Sequence, residues 1–230
     1  GALNPVEEIA RGAQGRPSFL IELVDAWRQG LDKNDDHLVQ TLPAIPPRVR
    51  EAVLYSLHDV HMPGVEILVL LAALGREATT SFLRQVLVIR DDVLKGRIRR
   101  LEDEGWLEAR HWDGAEQWDL PSWVSRAVLY ESLSEASRLD LHERLARALS
   151  RKRDLSPDAL ASLAQQLHLG GQYDAAWPRH LAAASVLLES RSSRAALHHI
   201  NSAEESADRL TVGDRAMALR EDRAKLLRLK

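Results

Sequence analysis

The sequence predicts an all-α protein interrupted by one small β-hairpin, and three observations predict it. Apolar residues recur at three- and four-residue spacing along most of the 230 residues. Gly75, Gly105 and Gly170-Gly171 fall where those stripes stop. The single stretch with strand character, 106–118, is centred on Asp113-Gly114, a dipeptide suited to a tight hairpin turn.

Residues 5–30 read as a broken helical pair. Val6 and Ile9 begin an amphipathic turn, Gly12 to Pro17 interrupts it, and Phe19, Leu20, Leu23, Val24 and Trp27 resume the period up to Gly30. Asp32 to Pro47 is polar and then proline-rich, which predicts a linker and a domain boundary near residue 42. Beyond it Val49, Val53, Leu54, Leu57 and Val60 mark one helical face, and Pro63 can open a second helix over 64–74. That helix is apolar nearly all round, so it is expected at the centre of its domain, stopped by Gly75. Thr79 or Thr80 can cap a short helix to Val88. A further helix starts near Asp91 with Leu94, Ile98 and Leu101 inward, ends at Gly105 and leads straight into the hairpin. This is the element order of a winged helix-turn-helix domain, with the hairpin as the wing.

Two more helices are predicted over 122–133 and 135–150, the second striped by Leu139, Leu145 and Leu149. After a break from Arg151 to Pro157 four helices recur. Their stripes are Leu160, Leu163, Ala164 and Leu167; Tyr173, Ala176, Trp177, Leu181, Ala184 and Leu188; Leu197, Ile200, Ala203 and Ala207; and Met217, Ala224 and Leu227. One-faced helices joined by short turns need neighbours to cover them, which predicts an α-solenoid of tetratricopeptide-like helical hairpins. The expected division is 1–41, the helical end of a preceding module; 42–150, the winged-helix domain with two exit helices; and 151–230, the repeats. The last stripe runs to Lys230 with no polar cap, so a longer parent chain is expected.

Composition narrows the function classes. The formal charge of −3, from 31 basic and 34 acidic residues, gives no bulk attraction to nucleic acid or to an anionic membrane. The absence of cysteine excludes disulfides, thiolate zinc sites and cysteine nucleophiles. The most apolar stretch, 65–74, is about half of the roughly 20 residues needed to span a bilayer. The N-terminus has no export pattern, and a cytoplasmic protein is expected. No nucleophile elbow or HExxH string occurs, so no catalytic centre is expected. His58 and His61 beside Asp59, and the pair His198/His199, read as ordinary surface or boundary histidines, with no metal expected.

Four strings in order, Gly12 to Trp27 (GAQGRPSFLIELVDAW), Ile45 to Leu57 (IPPRVREAVLYSL), Arg126 to Leu133 (RAVLYESL) and Leu163 to Leu188, resemble the STAND class of signal-transduction ATPases. The resemblance spans nearly the whole chain. It implies the end of a nucleotide-binding module, a winged-helix domain and the start of tetratricopeptide-like repeats, as in maltose-regulator-type and related AAA-family bacterial regulators. It implies ATP or ADP in the parent protein, with the chain's own ATPase module and a protein or small-molecule effector on the repeats as partners. The family's phosphate loop, GxxxxGK[ST], has no match, so no cofactor is expected on this segment alone. Gly15-Arg16-Pro17 matches the family's glycine-x-proline element, which makes Gly15 and Pro17 nucleotide-edge candidates. Leu120-Pro121-Ser122 stands where the family usually carries an aromatic-Arg-His string, a departure that bears on nucleotide sensing.

Two further readings compete at particular residues. Lys95, Arg97, Arg99 and Arg100 sit where a DNA-reading helix would lie, the basis of an alternative reading as a DNA-binding winged-helix transcription factor. With Arg90 they are balanced one for one by Asp91, Asp92, Glu102, Asp103 and Glu104, which cancels the field that would attract a duplex. Trp177, Arg179, His180 and Arg194 fall in the repeats, whose concave surface is the expected partner site. The tryptophans around the hairpin are expected to fill its seams with the indole N–H at a polar edge.

Overall fold

The computed structural model describes residues 5–13, 15, 17–31, 44–76, 78–112, 115–151 and 155–210. These are mostly helical, with one small three-stranded antiparallel sheet. Residues 32–43 of the expected linker Asp32 to Pro47, the turn Asp113-Gly114 and the stripe of Met217, Ala224 and Leu227 lie outside the described residues, and Pro47 itself opens a helix. The chain forms two compact units, Gly1–Ser134 and Glu135–Lys230, whereas the sequence pattern suggests breaks at 41/42 and 150/151.

The first unit begins with α1 (Pro5–Gly12) and α2 (Pro17–Leu31). Their stripe does not form a separate core. Ile9, Ala13, Phe19 and Leu23 share one buried cluster with Val49 and Val53 of α3 (Pro47–Leu57) and with Val124 and Val128 of α7 (Trp123–Glu131). That shared core is why the first helical pair joins α3 and α7 in one unit. Leu20, expected on the inner stripe, is 40% exposed, since Leu23 and Phe19 already fill the contact.

The central helix is α4 (Met62–Leu74), with eight buried residues including Ile67, Leu68, Leu70 and Leu71. Its stop is the left-handed Gly75, whose N–H returns to the Leu71 carbonyl at 3.2 Å. Next come β1 (Ala78–Thr79), α5 (Thr80–Leu87), α6 (Asp91–Asp103), β2 (Glu108–Trp112) and β3 (Ala115–Asp119). Thr79 caps α5 by accepting the Phe82 N–H at 3.2 Å. Leu94, Ile98 and Leu101 of α6 are buried. The strand order is β1-β3-β2, with Ala78 opposite Trp118 and Ala109 also opposite Trp118 on the other side. Strand β1 is an addition to the predicted hairpin; two residues are too few to show an alternating pattern. Trp118 is buried, and its indole N–H donates to Thr80 Oγ1 at 3.0 Å, which ties the hairpin to the start of α5.

Among its described residues the second unit holds α8 (Glu135–Leu149), α9 (Pro157–Leu169), α10 (Tyr173–Glu189) and α11 (Ser193–Asp208), with α9 packed on α8, α10 on α9 and α11 on α10. Buried alanines at 164, 176, 183, 184, 196 and 203 let these helices approach closely. Two stripe assignments need correction. Leu139 is 43% exposed, and Leu141 joins Leu145 and Leu149 inside; Leu197 is 48% exposed, and Ala196 with Ile200 and Ala203 carries the contact. The inward position moves two residues on, from Leu139 to Leu141, and one residue back, from Leu197 to Ala196, while Leu145, Leu149, Ile200 and Ala203 stay inward.

The turns after α9 and α10 repeat one hydrogen-bond pattern. Gly170, Gly171 and Gln172 donate to Gln166, His168 and Leu167, while Ser190, Arg191 and Ser192 donate to Val186, Leu188 and Leu187. The left-handed position is glycine in the first turn (Gly171, φ 73°) and arginine in the second (Arg191, φ 60°). Val88, which closes α5 at φ 54°, is a β-branched residue in the same region and is 85% exposed. L-residues pay roughly 1–2 kcal/mol there and glycine does not. Val88→Gly and Arg191→Gly are therefore each expected to raise stability by about 1 kcal/mol, after allowance for the greater unfolded-state freedom of glycine. Urea midpoints with unchanged slopes would check this.

Candidate functional site

In the first unit a cleft of about 800 Å³ opens between the end of α1, the loop after α3, the turn from α6 into β2 and the start of α7. Gly15 lines it, with φ 70° and nothing within 4 Å of where a Cβ would stand, so the backbone conformation rather than crowding calls for glycine. Pro17 opens α2 and is exposed. Arg16 lies outside the described residues. The ionisable lining consists of Arg11 facing Asp59, Glu104 and Glu108. Glu104 accepts from Arg100 at 2.8 Å and Glu108 from Arg110 at 2.6 Å. With Arg100 and Arg110 already on two of the three lining carboxylates, the cleft is close to neutral and concentrates no positive charge for a phosphate. Gly15 is thus at the cleft, but the surrounding charge does not form a phosphate cradle.

Leu120-Pro121-Ser122 connects the hairpin to α7. Leu120 is buried, Pro121 lines the cleft, and Ser122 caps α7 by accepting the Ser125 N–H at 3.4 Å. Ser122 also donates to the Gly12 carbonyl at 3.3 Å. Beside it Arg126 forms an ion pair with the buried Asp119 and donates to the Leu71 carbonyl at 2.6 Å. Arg110 reaches the same carboxylate at 3.3 Å.

The four basic candidates on α6 divide. Lys95 pairs with Asp91 at 2.7 Å and Arg100 with Glu104. The hydrogen bond from Lys95 holds the Asp91 carboxyl below its ordinary range. Arg99 is exposed and Arg97 half-buried in a smaller groove between α6 and the start of α4. Arg90, ahead of the helix, lies 3.3 Å from Asp92. The helix face is a neutralised lattice of charges, with Arg97 and Arg99 the basic members for which no ion pair is present among the described residues.

In the second unit the partner-site candidates also divide. Arg179 and Arg194 are exposed and Trp177 is half-buried, but His180 is fully enclosed. Its Nδ1 lies 2.7 Å from Nδ1 of His199, which is itself 7% exposed, so one ring donates and the other accepts. His180 Nε2 is buried with no hydrogen-bond partner. His168 stands edge-on to His180 with ring centres 5.8 Å apart, and its Nδ1 meets Ser206 Oγ at 2.7 Å. On α8 His142, 1% exposed, meets Gln166 of α9 at 2.7 Å. Each of the four described helices of this unit contributes one of these histidines, His168 being partly buried and the other three buried. Burial depresses all four, most strongly His180, which is pushed down to about 3, with His199 and His168 adding to the effect.

No sequence motif marks the His142–His168–His180–His199 ladder, although a signal exists. His180 lies four residues after Ala176 and three before Ala183, and His199 three after Ala196 and four before Ala203, so both are in phase with buried stripes. His58 and His61 occupy the loop after α3, where His61 precedes α4. Among the described residues no group of three or more histidine or carboxylate side chains is placed to hold a metal ion. No helix among them is long and apolar enough to cross a membrane. Comparison with known proteins adds no family: no family model matches the chain, and no curated protein matches it.

Proposed function

We propose that this chain is a regulatory and protein-interaction segment of a STAND-type signalling ATPase, coupling an inducer or partner on its repeats to a nucleotide-binding module. The observation that carries the reading is the succession α4-β1-α5-α6-β2-β3 with sheet order β1-β3-β2, which supports a winged-helix domain. It stands between a broken helical pair and a helical stack, as the resemblance implies. The repeated turn pattern after α9 and α10 supports tetratricopeptide-like hairpins. In this reading the segment has no chemistry of its own. The cleft holding Gly15 and Asp59 docks on the ATPase module, and effector binding on the repeats shifts that docking equilibrium.

The test uses the chain extended upstream to its phosphate-binding loop. Hydrogen-exchange protection over 47–131 is expected to differ between the ATP and ADP states, and Asp59→Lys with Glu108→Lys is expected to abolish the difference. Absence of a phosphate loop upstream, or identical protection in both states, defeats the proposal.

A second reading, DNA binding through α6 and the hairpin, is favoured by the position of Arg97 and Arg99 on the helix preceding the hairpin. Exposed ion pairs such as Lys95–Asp91 are worth little and could open on a duplex. A mobility assay in about 50 mM salt decides it, since phosphate contacts strengthen as salt falls. Binding that Arg97→Ala and Arg99→Ala weaken would establish this reading, and no shift would remove it.

A further inference from the structure

The buried pair His180 and His199 lies outside the proposed docking and effector roles. We propose that they make the helical stack of the second unit a proton-operated element, closed while they are neutral and opened at the α10–α11 contact when they are protonated. The geometry of His180 and His199 is the basis. Two imidazoles joined through Nδ1 at 2.7 Å hold at most one proton between those atoms. Protonating both sets N–H against N–H and two like charges about 5 Å apart by ring centre, with His180 at 0% exposure.

The surroundings do little to offset such charge. From α9 the pair faces His168; from α10 Tyr173 stands edge-on to His168; from α11 come His198, Glu205 and Arg209. Glu205 is the carboxylate facing the stack. It lies 3.7 Å from His168 Nε2 and is already held by Arg209 at 2.9 Å. At the α8–α9 contact His142 meets the neutral Gln166, with the positive charge of Arg138 acting against its protonation.

The sign follows from linkage. A histidine whose folded-state proton affinity lies below its unfolded value stabilises the closed form fully above the ordinary histidine range, and that contribution is lost as pH falls through it. Each histidine kept neutral weakens the closed form about tenfold between pH 7.5 and 5.5. His180 alone then gives about tenfold, and the lowered proton affinity of His199 adds to it with the same sign, in a window above ordinary carboxylate titration.

The experiment is hydrogen exchange on the full chain at pH 7.5 and 5.5, read as protection factors. Protection over 173–208 is expected to fall at least about tenfold, while protection over 47–131 stays within a factor of about three. Equal protection of 173–208 at the two pH values, or a parallel fall in 47–131, overturns the proposal. The double variant His180→Phe, His199→Leu, if its circular dichroism at pH 7.5 matches the parent, is expected to lose most of the fall; a full fall in that variant also overturns it. Should the variant not fold, the measurement on the parent chain decides alone.

Discussion

Asp119→Ala is expected to cost the first unit about 3–5 kcal/mol, the largest effect of any single polar substitution in it. Asp119 is 7% exposed, accepts the Leu120 N–H at 2.9 Å, forms the ion pair with Arg126 and draws Arg110 to 3.3 Å. Removing the carboxylate leaves a guanidinium held by the Leu71 carbonyl beside the end of α4, mostly away from water and without its counter-charge. The cost is that of an unpaired buried charge rather than of a lost bond. It follows that Asp119→Leu combined with Arg126→Met should recover most of the loss, because neither charge remains to be desolvated. Asp119→Asn should fall between, keeping the Leu120 contact and losing the charge. Five of the six tryptophans lie in the first unit, so urea unfolding followed by tryptophan emission reads this unit. A double variant as unstable as Asp119→Ala would show that the pair stabilises by more than mutual neutralisation.

The same network explains what the sequence could and could not disclose. Ile9, Leu23, Val49, Val53, Leu94, Ile98 and Leu101 were legible as inward residues because a 3.6-residue period needs no tertiary information. The hairpin was legible from its turn dipeptide. Asp119 and Arg126 are separated by a strand end, a proline and a helix cap, and nothing local marks them as partners; only the return of α7 onto α4 brings them together. The histidine ladder is hidden for the same reason, since its members lie on four different helices. Leu139 and Leu197 show the limit of period alone. The stripe fixes a face to within about two residues, and packing on the neighbouring helix decides the final phase. The cleft was half legible: Gly15 was marked, but Asp59, Glu104 and Glu108 converge on it from separate segments.

Gly12→Ala carries the second large effect, and its sign runs against propensity. Alanine in place of glycine inside a helix ordinarily gains about 1 kcal/mol. At Gly12 the added Cβ would stand 2.6 Å from the indole nitrogen of Trp123 and 3.0 Å from a Val124 methyl, both on the first turn of α7. Neither neighbour can yield alone: Val124 is 1% exposed, and the indole moves only as a whole ring. Relief requires α1 to back away from α7, which breaks the Ser122 bond to the Gly12 carbonyl and loosens the packing of Ile9 and Ala13 on Val124 and Val128. Overpacking of this kind costs about 1–3 kcal/mol, so a net loss of about 2 kcal/mol is expected. Gly96→Ala, on the open face of α6 with nothing within 4 Å of the added carbon, is the matched control and should gain about 1 kcal/mol. Opposite shifts of the urea midpoint for one chemical change would show that close approach between α1 and α7, rather than helix propensity, selects glycine at position 12. Shifts of the same sign would remove that account.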